Sequence, residues 1–304
     1  GSGRYALIGV DGVATLAGTG QTVLDNGYAA TDLRAGDNGS HNARQIFYGM
    51  NGYGDRLVVA AGHTLRGRGQ VGQQNYQNAL LLDNAGLIRA EAGGLLTLQD
   101  AAVAVPRTHA IVNTGTLLAA EGATLAINGS VANTGGRIEA ADASFVHLAA
   151  GANGGILATS GSGVIRTVAT VAYPMLDGGA QLLGRLQVPA GTRLGLGGSL
   201  VNDGVIDVGT AVAGVGSATG TSELRLFGDT LISGTGQIVM SDRQATRNVF
   251  TGYNGFIGRA PVLTLGPGQT VSGAGMLGGS STVSRTLDVF NQGSILADGA
   301  NGME

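Results

Sequence analysis

One unit returns along this chain without a gap. Residues 122–135 read Gly-Ala-Thr-Leu-Ala-Ile-Asn-Gly-Ser-Val-Ala-Asn-Thr-Gly, and residues 191–204 read Gly-Thr-Arg-Leu-Gly-Leu-Gly-Gly-Ser-Leu-Val-Asn-Asp-Gly. Leu125 matches Leu194, Ile127 matches Leu196, Val131 matches Leu200, Asn133 matches Asn202 and Gly135 matches Gly204. Apolar residues at alternate positions, closed by Asn-x-Gly, describe a short strand, a turn and the next strand. One such unit cannot bury its apolar face alone. A chain that repeats it must stack the copies.

The Asn-x-Gly unit recurs at Asn84, Asn113, Asn133, Asn153, Asn202 and Asn291, each time followed by apolar residues such as Ile88, Leu117, Ile138, Leu157, Ile206 and Ile295. The first spacings are 29, 20 and 20 residues, and Asn133 to Asn202 is 69, or three steps of 23. Steps of that length suit a coil of three short strands and three turns. A sharp corner tends to need a left-handed residue, which Gly adopts freely and Asn tolerates. Stacked corners also place the asparagine amides over one another. The expectation is a structural ladder of these six asparagines, with side-chain amides satisfying one another inside the stack.

A second unit, Thr-Leu-x-Gly-x-Gly, appears at Thr15–Gly20 and Thr64–Gly69, one residue longer at Thr230–Gly236, and in variant form at Thr270–Gly275. No helix pattern follows any copy, so these glycines do not read as a phosphate loop. They read as a bend between two sheets. The combination of Asn-x-Gly-x-[Ile/Leu]-x-Ala with this bend resembles the right-handed parallel β-helix of large bacterial surface proteins. These include filamentous-haemagglutinin-like two-partner-secretion adhesins and autotransporter passengers. Gly135-Gly136-Arg137-Ile138-Glu139-Ala140 is similar to coils common in them. The resemblance implies an all-β solenoid, a secreted or outer-membrane-associated location, and a role in adhesion or filament building.

Composition agrees with thin stacked layers. There are 56 Gly, 5 Pro, 43% hydrophobic and 4% aromatic residues. That excludes collagen, which needs abundant Pro, and disorder, which lacks apolar surface. The net charge of −3 provides no pull toward nucleic acid or anionic lipid. All 17 basic residues are Arg, which reads first as a genome-composition bias. The absence of Cys excludes disulfides and thiolate metal sites, and suits export through a membrane unfolded. No apolar run reaches the roughly 18 residues of a membrane helix. Gly1-Ser2-Gly3 and Gly302-Met303-Glu304 read as cuts through a longer protein.

A longer repeat lies above the coils. Arg44–Tyr53 matches Arg247–Phe256 at an offset of 203, Gly62–Gly72 matches Gly268–Gly278, and Thr15–Val23 matches Thr230–Val239. Residues 1–221 therefore read as one module, and 222–304 as the continuous start of a second. Residues 26–55 break the rhythm as an insertion loop, with Tyr28, Asp37, Tyr48 and Tyr53 as candidate ligand contacts. The competing reading is an insert whose Phe47, like Phe250, tucks into the coil stack.

Candidate chemistry is thin. His41, His63, His109 and His147 are scattered without metal spacing. Hydrolases of this architecture need clustered carboxylates, and Asp203 with Asp207 flanks a turn instead. No metal, cofactor or catalytic residue is expected. The reading is a right-handed parallel β-helix of about 10–13 coils rising about 4.8 Å each, a rod on the order of 50–60 Å. Its function is to space and present binding parts of a bacterial surface fibre. Expected partners are neighbouring module copies, a host or cell-surface glycan or protein, or further copies of itself. Direct adhesion through 26–55 is the second reading, and a polysaccharide lyase or hydrolase the third.

Overall fold

The structure is a computed structural model that describes residues 6–25, 45–49, 54–72, 80–99, 109–168, 173–242, 248–253, 258–278 and 286–303. Among them every regular element is a β-strand, and the strands pair in parallel. In the first unit each strand pairs with the one three places on in the chain, as three strands per coil require. The fold is a parallel β-helix. It divides into two compact units, 1–147 with 159–164, and 148–158 with 165–304. The boundary at 221/222 between the two sequence modules falls inside the second unit.

In the first unit one sheet carries Ala6–Val10, Gln45–Gly49, Gly69–Val71, Leu95–Leu98 and Thr124–Ile127. A second carries Val13–Leu16, Arg56–Val59, Leu81–Asn84, Ile111–Asn113 and Val131–Ala132. A third carries Gln21–Leu24, Thr64–Gly67, Leu87–Ala90, Thr116–Ala119 and Arg137–Ala140. Successive side chains point to opposite faces, so inward residues line up coil over coil. Thr22, Leu65, Ile88, Leu117 and Ile138 form one such column. Leu65, Ile88, Leu117 and Ile138 have no exposed surface. The apolar residue two places after Gly86 and Gly115, and three after Gly135, is thus a core residue.

In the second unit Leu186, Ile206, Ile238, Val271 and Ile295 form a column in the sheet of Arg185–Val188, Val205–Val208, Gln237–Met240, Thr270–Gly273 and Ser294–Leu296. Here two corners are not turns at all. Arg193–Asn202 and Ser222–Ser233 each run as one long strand that serves two sheets, with the register slipping between Leu196 and Gly198. Phe250 is the largest side chain with essentially no exposure. Its sequence counterpart Phe47 lies in Gln45–Gly49, where only the backbone is described.

The bend motif has a backbone cause. At Gly67 φ is 115°, and at Gly273 it is 107°. A Cβ on Gly67 would lie 1.9 Å from the Leu24 carbonyl oxygen, and one on Gly273 1.8 Å from that of Met240. Only glycine allows the chain to pass so close to the coil beneath it. The inward pattern also refines one alignment. Leu16 pairs with inward Val59, and Ile232 with inward Leu265. The segment 13–24 therefore corresponds to 229–240 without a gap, and the left-handed glycines Gly18 and Gly234 coincide.

A corner type that carries no asparagine recurs in the first unit. Gly94 N donates to Glu91 O, Ala123 N to Ala120 O, Ser144 N to Ala141 O and Gly163 N to Ser160 O, each at 3.0 Å. At this corner Ala92, Glu121 and Ala143 hold φ of 55°, 56° and 56°. These three are the non-glycine residues with positive φ among those described.

Candidate functional site

The asparagine corners come first, because the sequence singles them out. In the first unit Asn84 Nδ2 donates to Asn113 Oδ1, and Asn113 Nδ2 to Asn133 Oδ1, both at 2.7 Å. All three are buried. Each remaining amide hydrogen reaches a backbone carbonyl of the coil above, Thr116 O from Asn84 and Arg137 O from Asn113. Asn84 Oδ1 also accepts from Gly86 N, two residues on. The row therefore stitches three coils through a dry interior, where an unpaired amide is costly.

In the second unit Asn153 and Asn202 stand at different corners. Asn153 closes Ala152–Asn153 and donates to Asp177 Oδ1 of the neighbouring coil at 2.8 Å. Asn202 closes the second half of a long strand, one sheet further round, and pairs with Gln269. The long strand explains the difference: its first half already occupies the sheet that holds Met175–Asp177. Asn291 is exposed and caps its own turn by accepting from Gly293 N at 3.0 Å. Instead of one ladder of six, each unit has its own local pairings.

The candidate ligand contacts Tyr28, Asp37 and Tyr53 lie outside the described residues. Tyr48 sits in Gln45–Gly49, opposite Gly9, with its side chain outside them as well. Asp203 accepts from Gln181 Nε2 and Thr235 N, which hold its carboxyl below the usual range. Asp207 is paired with Arg185. Buried His63 is held between Thr22 Oγ1 at 3.0 Å and the Ala17 carbonyl at 3.2 Å, a structural role. Among the described residues no three of His, Cys, Asp or Glu converge as metal ligands.

The densest outward cluster was not visible in the sequence. On the second unit Tyr173, Arg193, Glu223, Arg225, Phe227 and Tyr253 meet across neighbouring strands. Tyr173 packs edge-on against Phe227 at 5.3 Å between centroids, and Phe227 lies 5.7 Å from Tyr253. The Arg225 guanidinium lies 4.5 Å from the Tyr173 ring centre, and that of Arg193 5.2 Å, within cation–π range. Glu223 takes a hydrogen bond from Tyr173 Oη at 2.6 Å and one from Arg225 Nε at 2.7 Å. Gly195 leaves the gap across which Met175 and Phe227 approach, since a Cβ there would lie 2.2 Å from Met175 Sδ. Burial and the Glu223 bond push the Tyr173 phenol up to about 12. Its proton is held, so Tyr173 is poorly suited to act as a base near neutral pH.

On the first unit charge is arranged as a chain of pairs. Arg66 reaches Gln21 and Glu91, while Arg89 reaches Glu91 and Glu121. Arg66 and Arg89 are register partners, and Glu91 between them removes the like-charge penalty. No protein-family model matches the chain, and neither does any curated protein or solved structure.

Proposed function

We propose that this chain is a structural segment of a large secreted or cell-surface bacterial fibre, a stiff spacer that presents binding parts. The observation that supports this most directly is the row Asn84–Asn113–Asn133, which ties successive coils by side chains as well as by backbone ladders. Such a row stiffens a stack. The outward charges of the first unit point the same way, since Arg66, Glu91, Arg89 and Glu121 are spent on one another. No catalytic step is assigned. No helix among the described residues is long and apolar enough to cross a membrane.

A second reading is direct binding of a glycan or protein. It is favoured by the half-buried aromatics Tyr173, Phe227 and Tyr253 beside two arginines. The part of the 26–55 insertion that precedes the Gln45–Gly49 strand is the other segment it would use. One experiment separates the readings: the chain is tested on immobilised glycans and extracellular-matrix proteins. The spacer reading expects no saturable binding. Saturable binding lost on Tyr253→Ala, or on deletion of 26–44 with the coils still folded, establishes the adhesive reading instead.

A further inference from the structure

We infer that residues 211–216, in the second unit, are a site of limited proteolysis for an endopeptidase with a small apolar primary pocket, and that the coils on both sides stay together after the cut. The inference goes beyond the spacer reading and does not depend on it.

The site comes from one corner that is much longer than the corner beneath it. Val188 pairs with Val208 and Arg193 with Glu223, so residues 189–192 and 209–222 make the same turn in successive coils. The shorter corner closes with Thr192 N donating to Pro189 O at 2.9 Å. The longer one leaves the stack as a loop pinned at its base on Ala190. Ala190 N donates to Thr210 O at 2.9 Å, and Ser217 N donates to Ala190 O at 2.8 Å. Gly216 crosses that carbonyl where a Cβ would lie 2.1 Å away. Beyond the base Val215 N donates to Val212 O at 3.2 Å, and among the described residues no hydrogen bond ties 211–216 to a coil. Ala211, Ala213, Gly214 and Gly216 are exposed, and Val212 and Val215 are half-buried.

The loop's own side chains select the enzyme class. It reads Ala-Val-Ala-Gly-Val-Gly, with nothing larger than Val and no charge. A deep or charged primary pocket finds nothing to hold there, whereas a shallow apolar one takes Ala or Val. The nearest basic residues, Arg193 and Arg225, both lie within strands. An endopeptidase must draw several residues into an extended conformation, and here that opens the Val212–Val215 bridge without touching a ladder. Hydrolysis then adds water across one peptide bond: its oxygen goes to the acyl carbon, the C–N bond breaks, and the released nitrogen takes the proton. Every strand beside the cut keeps its partners. Val205–Val208 stays paired with Arg185–Val188 and Gln237–Met240. Ser222–Ser233 stays paired with Arg193–Asn202, Asn248–Gly252 and Val262–Leu265. The cut ends covalent continuity and leaves the stack standing.

Native digestion of the full 304-residue chain with pancreatic elastase, followed by mass spectrometry of the fragments, tests this. An early cut within 211–216 is expected. The two fragments should co-elute on gel filtration, keep the circular dichroism of the intact chain, and part only in denaturant. Trypsin under the same conditions should cut at neither Arg193 nor Arg225. Val212→Asp, Ala213→Asp and Val215→Asp combined should slow the elastase cut by roughly tenfold or more, because a charge is costly in an apolar pocket. These positions lie outside every ladder, and circular dichroism checks the fold. If the triple variant does not fold, Ala213→Asp, at an exposed position, takes its place and should also slow the cut. A loop still intact after elastase has cut elsewhere overturns the inference, and so does a chain that resists elastase altogether. A cut that the aspartates do not slow, or fragments that separate without denaturant, overturns it as well.

Discussion

Asn202 and Gln269 exchange hydrogen bonds across an intervening coil. Asn202 Nδ2 donates to Gln269 Oε1 at 3.0 Å, and Gln269 Nε2 donates back to the Asn202 carbonyl at 2.8 Å. The coil between them passes through Gly234 and Gly236, where a Cβ would strike Asn202. The extra methylene of Gln269 supplies the reach that a second asparagine lacks. Replacing Gln269 with Leu leaves the buried Asn202 amide short of a partner, at a cost of about 1–3 kcal/mol. Urea unfolding should show a lower midpoint, and Gln269→Asn should not restore it.

The bend glycines give the largest expected effects. Gly67→Ala and Gly273→Ala each force a Cβ into a carbonyl oxygen at an unfavourable φ, and should cost upward of about 2–3 kcal/mol. Gly228 is the control. Nothing lies within 4 Å of a Cβ placed there, so Gly228→Ala should stay within about 0.5 kcal/mol of the unmodified chain. Thermal unfolding followed by circular dichroism distinguishes the two classes.

Ala143 sits in the left-handed region, which an L-residue occupies at a cost of about 1–2 kcal/mol, while glycine loses about 0.5–1 kcal/mol of chain entropy. Ala143→Gly should therefore be neutral to slightly stabilising. Ala143→Val, with a branched Cβ, should lower the midpoint clearly. A Val variant as stable as the parent would show that this corner relaxes.

The Tyr173 phenol predicts an alkaline limb. Its folded value, about 12, lies above the ordinary 10. The unfolded chain therefore loses this proton first as pH rises. The contribution is fully present below pH 10 and is lost between pH 10 and about 12. Tyrosinate absorbance should show one late-titrating tyrosine, and Tyr173→Phe should remove it. At the acid end Asp142, Asp203, Asp229 and Asp242 are held below the usual range, first by side-chain bonds from Ser162, Gln181 and Arg259, and for Asp242 by the Asn301 amide. A depressed carboxyl stabilises above its unfolded value of about 3.9 and ceases to as pH falls through the folded value. The unfolding midpoint should be flat between about pH 5 and the alkaline limb, and fall below about pH 4.

The coil was legible because parallel stacking demands it locally. An inward position needs an apolar residue in every coil, so Ile88 and Leu117 follow their asparagines by four residues and Ile138 by five. The corner at Ala92, Glu121 and Ala143 was not legible. The bond that closes it is backbone to backbone, which leaves little mark on side-chain identity. Gln269 was missed because a corner partner was expected to be another asparagine. The Tyr173–Phe227–Tyr253 cluster was missed because its members lie on different coils, where spacing along the chain carries no periodic signal.

The pairing register has a genetic consequence. Between Leu98 and Ile111 the chain spends residues 99–110 on reaching the next strand; one coil later residues 128–130 suffice. Ile111 nonetheless meets Leu82 on one side and Val131 on the other. Codons added or lost at such a corner leave the facing of every strand unchanged, whereas a single codon gained inside Thr116–Ala119 would turn its inward residues outward. Length variation among descendants of this gene should therefore gather at corners, and the strands should drift only by substitution.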